Sequence, residues 1–215
     1  VHVPGFILAS LVIGTAAEAV PLAVVAVQRR RPRGARAVML AWVAFLLAID
    51  LVSAALAFHG IHNLWLSYVL MPVSVGLALW ALSCWQVSDL WRLTFRVAIV
   101  PLLLAWAILT VAVEDTSTFS MAAEPMVKLV TLGAAAFTLV VNSLAQRGDL
   151  LRRDWFWISA GLILYFGVGA TLGPLGALLQ GSSPQLLMKA LVFWATMGSA
   201  AFFLIAKGFA CSPTR

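Results

Sequence analysis

Seven stretches of 21 to 26 predominantly apolar residues run through this chain. A helix rises 1.5 Å per residue, so about 20 such residues cross the ~30 Å hydrocarbon layer of a bilayer. The spans read as 5–27, 37–57, 64–86, 93–113, 122–145, 155–179 and 185–210. In hydrocarbon every backbone N–H and C=O must be satisfied internally, and a lone run of this length does so as an α-helix. The expected fold is therefore all-α: a polytopic membrane protein, one transmembrane domain over 1–215 built as a bundle of seven helices. Composition agrees. Apolar residues make up 63% of the 215 and charged residues 10%, against ~45–50% and ~25% in soluble domains. A soluble fold has no place for that much apolar surface, which excludes soluble enzymes and cytosolic nucleic-acid binders. The connectors are too short to hold a further domain. Function must sit in the bundle, at its mouths, or on a partner.

Charge sets the orientation. Arg29, Arg30, Arg31, Arg33, Arg36, Arg92, Arg96, Arg147, Arg152, Arg153, Lys207 and Arg215 fall on one side of the spans; Lys128 and Lys189 fall on the other. Lysine and arginine are retained on the cytoplasmic side. Twelve against two places the N-terminus outside and the C-terminus in the cytoplasm. The net charge of +6 is thus a topology signal, and no nucleic-acid partner is expected. Residues 5–27 lack a basic leader and exceed the apolar core of a signal peptide, so they are expected to remain as a helix. Cys84 and Cys211 both face the reducing side, which argues against a disulfide. Eleven of the 14 basic residues are arginine, and the chain is rich in alanine. Both point to a GC-rich bacterial genome and to the bacterial cytoplasmic membrane.

A centrally placed ion costs roughly 2.5–3.5 kcal/mol to insert, so each polar residue inside a span needs a reason. Span 5 carries Glu124, Lys128, Thr131, Ala135, Thr138 and Asn142 at intervals of 4, 3, 4, 3 and 4, which is one helical face. Such a stripe either lines a polar path or packs against a neighbour through hydrogen bonds and small residues. Either way it belongs inside the bundle. Glu18 is fourteenth of the 23 residues of span 1, near mid-membrane, with Thr15 and Pro21 one turn away on either side. Pro21 has no N–H to give the carbonyl of Ala17, and an acid beside an interrupted helix is a common ion or proton site. Asp50 is fourteenth of 21 in span 2, in the outer half. Within span 5 Glu124 and Lys128 form an i,i+4 pair in the favoured order; the depth of Asp50 matches that of Lys128, so an Asp50–Lys128 pair is also expected as a way to bury both charges. Tyr165 brings a hydroxyl near the middle of span 6, on the same row as Gly161, Gly169 and Gly173. Gly169-x-x-x-Gly173 is a close-packing motif.

The remaining features have plainer readings. Arg96 starts span 4 and is expected to snorkel to the headgroups. Trp65, Trp85, Trp91, Trp155 and Trp157 lie near span ends, where indoles anchor at the interface. His59 and His62 flank Gly60, which favours a turn over a metal site. A retinal Schiff base needs a lysine in the middle of the last span, and Lys189 and Lys207 lie near its two ends. No nucleophile–base pair or metal-ligand spacing emerges, so catalysis is not expected, and no cofactor is implied.

The leading expectation is binding or translocation of a small solute or ion within the bundle. Its polar lining would be Glu18, Asp50, Lys128, Thr131, Thr138, Asn142 and Tyr165. The alternative is a non-catalytic membrane subunit or sensor module of a larger complex. The expected partners are the lipid bilayer and either another membrane protein or further copies of this chain.

Overall fold

The computed structural model describes residues 5–29, 31–61, 63–115, 119–146 and 148–211, with side chains outside 5–11, 180–182 and 184. Arg30, His62, Arg147 and Arg215 lie outside the described residues. Seven α-helices follow one another: α1 (Gly5–Gln28), α2 (Ala35–Phe58), α3 (Trp65–Cys84), α4 (Asp89–Ala112), α5 (Ala123–Ala145), α6 (Asp154–Ser182) and α7 (Pro184–Ala210). A 3₁₀ turn at Leu150–Arg152 precedes α6. Six of the helices, α2 to α7, are long and apolar enough to cross a membrane; α1 contributes a shorter described apolar stretch, Val12–Gln28. The molecule is an apolar helical bundle of the multi-pass membrane type.

Local chemistry explains where the helices start. α4 begins four residues before the apolar run because Ser88 caps it, its Oγ accepting the Trp91 N–H at 3.3 Å. Asp89 then lies at the positive end of the helix and pairs with Arg92 at 2.7 Å. α2 ends at Gly60, whose φ of 69° favours glycine, so the segment carrying His59 turns. The helices run through Pro21, Pro72, Pro101 and Pro174.

Consecutive helices pack side by side, and α7 closes back on α1. α3 also meets α5 directly, so α1, α2, α3, α5, α6 and α7 form a closed ring and α4 leans on its outside. α4 buries only Phe95 and Leu102 among its described residues. Leu93, Val97, Val100, Leu104 and Ile108 point outward from it, as expected of a lipid face. α3 is the opposite case, buried from Leu66 to Ser83 on several sides. The core is centred on Met39, Trp42, Val43, Leu46, Val75, Leu82, Leu162, Phe166 and Ile205.

Glycine permits the closest contacts. A Cβ on Gly173 would stand 2.1 Å from the Ser120 carbonyl oxygen, and one on Gly161 would stand 2.8 Å from that of Ala201. The row that includes Gly161, Gly169 and Gly173 therefore seats α6 against α7 at one end and against α5 and its leading loop at the other.

Some end-of-helix residues depart from their expected roles. Trp155 is not an interfacial anchor: it is 1% exposed, and its Nε1 donates to Gln146 Oε1 at 3.3 Å. Arg96 donates to Ser83 Oγ at 3.1 Å in the last turn of α3, with its guanidinium 4.6 Å from the centre of the Trp80 ring. Arg36 is buried and donates to the carbonyls of Phe209 and Cys211. Gln28 reaches the same Phe209 oxygen at 3.1 Å. Together they satisfy the last carbonyls of α7, which a helix end otherwise leaves unpaired.

Candidate functional site: an acidic cavity in the outer half

A cavity of about 160 Å³ opens between the six ring helices. α1 contributes Glu18, α2 Asp50, α3 Ser67, Leu70 and Met71, α5 Glu124 and Lys128, α6 Tyr165 and Leu172, and α7 Trp194. Leu64, Phe119 and Ser120 line it from the connectors before α3 and α5. Those connectors lie at the end that the basic residues assign to the outside. The site therefore occupies the outer half of the bundle.

Glu18 of α1 and Asp50 of α2 share the walls of the same cavity. Asp50 extends the buried stripe Arg36, Met39, Val43 and Leu46 of α2 by one more step, and this periodicity aims it inward. Glu18 is 6% exposed, and its Oε2 is buried with no hydrogen-bond partner among the described residues. A second cavity of about 50 Å³ lies beside the first, between α1 and α7. Glu18, Asp50, Tyr165 and Trp194 line both cavities, so the carboxyl pair stands between them.

Lys128 takes a different partner from the expected Asp50. Its Nζ forms an ion pair with Glu124, one turn earlier on α5, and donates to the Gly169 carbonyl at 3.1 Å. The i,i+4 spacing makes the first contact available within the helix itself. The missing side chain at Gly169 makes room for the second: a Cβ there would stand 3.0 Å from Nζ.

The rest of the α5 stripe is buried, as its period requires, but away from this cavity. Thr131 donates to Val127 O at 2.8 Å, Thr138 to Ala134 O at 2.8 Å and Asn142 to Thr138 O at 3.0 Å. Gln86 adds a link from the end of α3, its Nε2 donating to Thr138 Oγ1 at 2.8 Å. The stripe thus has a charged outer part facing the cavity and an inner part satisfied chiefly by carbonyls of its own helix. Of the seven residues of the expected lining, Glu18, Asp50, Lys128 and Tyr165 come together, while Thr131, Thr138 and Asn142 pack below them.

The inner end of the site is closed by rings. Trp42, Tyr165, Phe166 and Phe202 pack with centroids 5.2 to 6.1 Å apart. Trp42 is fully buried, and its Nε1 donates to Ser74 Oγ at 2.8 Å. Trp42, Trp194, Phe119 and Ser120 are lining or plug residues that no periodic signal marked in advance. The outer rim is built differently. Glu114 accepts the amide N–H of Ala122 at 2.6 Å and of Ala123 at 3.0 Å, and the Ser120 hydroxyl donates to both its oxygens. Burial pushes the Glu114 carboxyl up, but these donors together outweigh it and hold the carboxyl below its ordinary range. Glu114 thereby caps α5 and holds the connector that carries Ser120 over the cavity.

Among the described residues no three His, Cys, Asp or Glu side chains converge on a metal position. Comparison with protein-family models, curated proteins and solved structures finds no match for the chain.

Proposed function

We propose that this membrane protein binds a small cation in the outer half of its bundle and passes it across the bilayer, which we take to be a bacterial cytoplasmic membrane. One observation carries the reading: a single cavity holds three carboxyl groups, Glu18, Asp50 and Glu124, against one ammonium, Lys128, which Glu124 already engages. The surplus is acidic, and in a low-dielectric wall a surplus charge selects ligands of the opposite sign. A volume near 160 Å³ suits a solute of modest size, since an engineered cavity of ~150 Å³ in another protein admits benzene. The connector residues at the mouth and the ring cluster beneath support an arrangement open to the outside and closed to the inside, one of the two states that alternating access requires.

The test is thermal stability of the purified chain in detergent with a panel of chloride salts of inorganic and organic cations, sodium salts of small anions, and neutral sugars. A cation should raise the melting temperature of the wild type and leave Glu18→Gln unchanged. Stabilisation by anions or sugars alone would overturn the reading. The non-catalytic subunit or sensor alternative makes a separate prediction: recovery from the native membrane in a stoichiometric assembly with other chains, and Glu18→Gln altering stability only.

A further inference from the structure

We propose that the ligand is a small primary ammonium ion, and that it enters in exchange for a proton held between Glu18 and Asp50. This rests on the cation reading above and deepens it. The first ground is the orphaned oxygen. Glu18 Oε2 is buried in the wall of the cavity with no donor among the described residues, and an unsatisfied buried acceptor is costly. An N–H of the ligand supplies what the protein does not. The second ground is the remaining wall. Phe119, Tyr165 and Trp194 bring aromatic groups to the same space, and Leu70 and Met71 bring apolar ones. Aromatic faces attract organic cations, and the apolar side chains accept a short alkyl tail. A dehydrated metal ion asks instead for several converging oxygen ligands, and among the described residues no three His, Cys, Asp or Glu side chains converge.

The exchange follows from the two carboxyls lining the same two cavities together. Among the described residues, the charged and titratable side chains lining this cavity with Glu18 are Asp50 from α2, Glu124 and Lys128 from α5 and Tyr165 from α6, while α3 and α7 present Ser67 and Trp194. Lys128 is occupied by Glu124 and does not neutralise the pair. Two negative charges in one cavity wall repel, and one shared proton converts that repulsion into a hydrogen bond. When the ammonium arrives, the O–H bond of the protonated carboxyl breaks and its proton leaves to water at the outer mouth. The ligand's N–H groups then donate to the two carboxylates. The pair carries one negative charge with its proton, and the incoming ion replaces that proton charge for charge. No bond of the ligand breaks.

The experiment measures binding of n-propylammonium chloride to the full chain by calorimetry at pH 6, 7 and 8, in two buffers of different ionisation enthalpy. The expected result is affinity that rises about tenfold per pH unit while the pair holds its proton, with about one proton released per ion bound. Glu18→Gln should weaken binding more than tenfold and flatten the pH dependence. Trp194→Leu should weaken it several-fold and keep the slope, which separates loss of the wall from loss of the proton. The wild-type slope itself requires no variant to fold. Binding independent of pH, or tetramethylammonium binding as tightly although it has no N–H, overturns the proposal. Binding of potassium without propylammonium overturns it and leaves the cation reading standing. Binding of neither cation overturns both.

Discussion

Replacing Lys128 by methionine separates the roles that its position allows. The ammonium is buried, at 4% side-chain exposure, and joins Glu124 on its own helix to Gly169 on the next. Breaking a buried ion pair in a soluble protein costs ~3–5 kcal/mol. Here the expected loss is smaller, because the separated reference state in a membrane keeps its helices. The Glu124–Lys128 contact is an i,i+4 pair and survives when α5 leaves the bundle. Only the bond to the Gly169 carbonyl crosses between helices, and such bonds contribute about 0.6 kcal/mol on average and up to ~1.7. Lys128→Met should therefore cost about 0.5–2 kcal/mol in unfolding by SDS titration in mixed micelles. The same variant should tighten cation binding. Unit charges on the order of 8 Å apart at an effective dielectric near 20 interact by about 2 kcal/mol, and 1.4 kcal/mol is about tenfold in affinity. A gain of about 3- to 10-fold is therefore expected by calorimetry with a cationic ligand. A loss of affinity would refute the sign of the site. A loss of stability of 3–5 kcal/mol would refute the argument that the pair persists in the separated helix.

Three further outcomes follow from the same contacts. Gly173→Ala places a methyl 2.1 Å from the Ser120 carbonyl oxygen and should cost about 1–3 kcal/mol or more by the same titration. Gly133→Ala, which meets nothing within 4 Å, should be neutral or stabilising. The Glu114 carboxyl is held below its ordinary value of 4.5, so its contribution is present above the unfolded value and fades as pH falls through the folded one. Melting temperatures of wild type and Glu114→Gln should differ above about pH 5 and converge as pH falls below 4.5 through the lowered folded value, the difference corresponding to about 0.5–1 kcal/mol, typical of a partly exposed cap. Arg36→Met removes two hydrogen bonds to the end of α7 and should cost about 2–3 kcal/mol, since bonds to charged groups contribute ~1.5–3 kcal/mol each and solvent recovers part of that.

The spans were legible because backbone chemistry in hydrocarbon leaves few options for a run of 20 apolar residues. The start of α4 was not, because Ser88 and Asp89 prolong the helix with the polar residues that end an apolar run. Glu18 and Asp50 stood out through their cost, and each faces inward as that cost requires. That they share one cavity, and that Lys128 does not meet Asp50, depends on which helices are neighbours, and periodicity carries no information about neighbours. The α5 stripe shows the same limit within one helix. Its spacing identifies a buried face, yet Thr131 and Thr138 turn their hydroxyls to carbonyls four residues back, which no spacing reveals. The division of that stripe has a physical logic. Where α5 meets the cavity, Glu124 and Lys128 pair with each other and Lys128 also reaches the Gly169 carbonyl. Deeper, beside the fully buried Val127 and Ala135, only neutral groups that can bond their own backbone persist. The change from charged to self-satisfied residues along one face thus marks the depth at which the cavity ends, one to two turns into α5, and the Trp42, Phe166 and Phe202 rings mark the corresponding floor on the other side of the bundle.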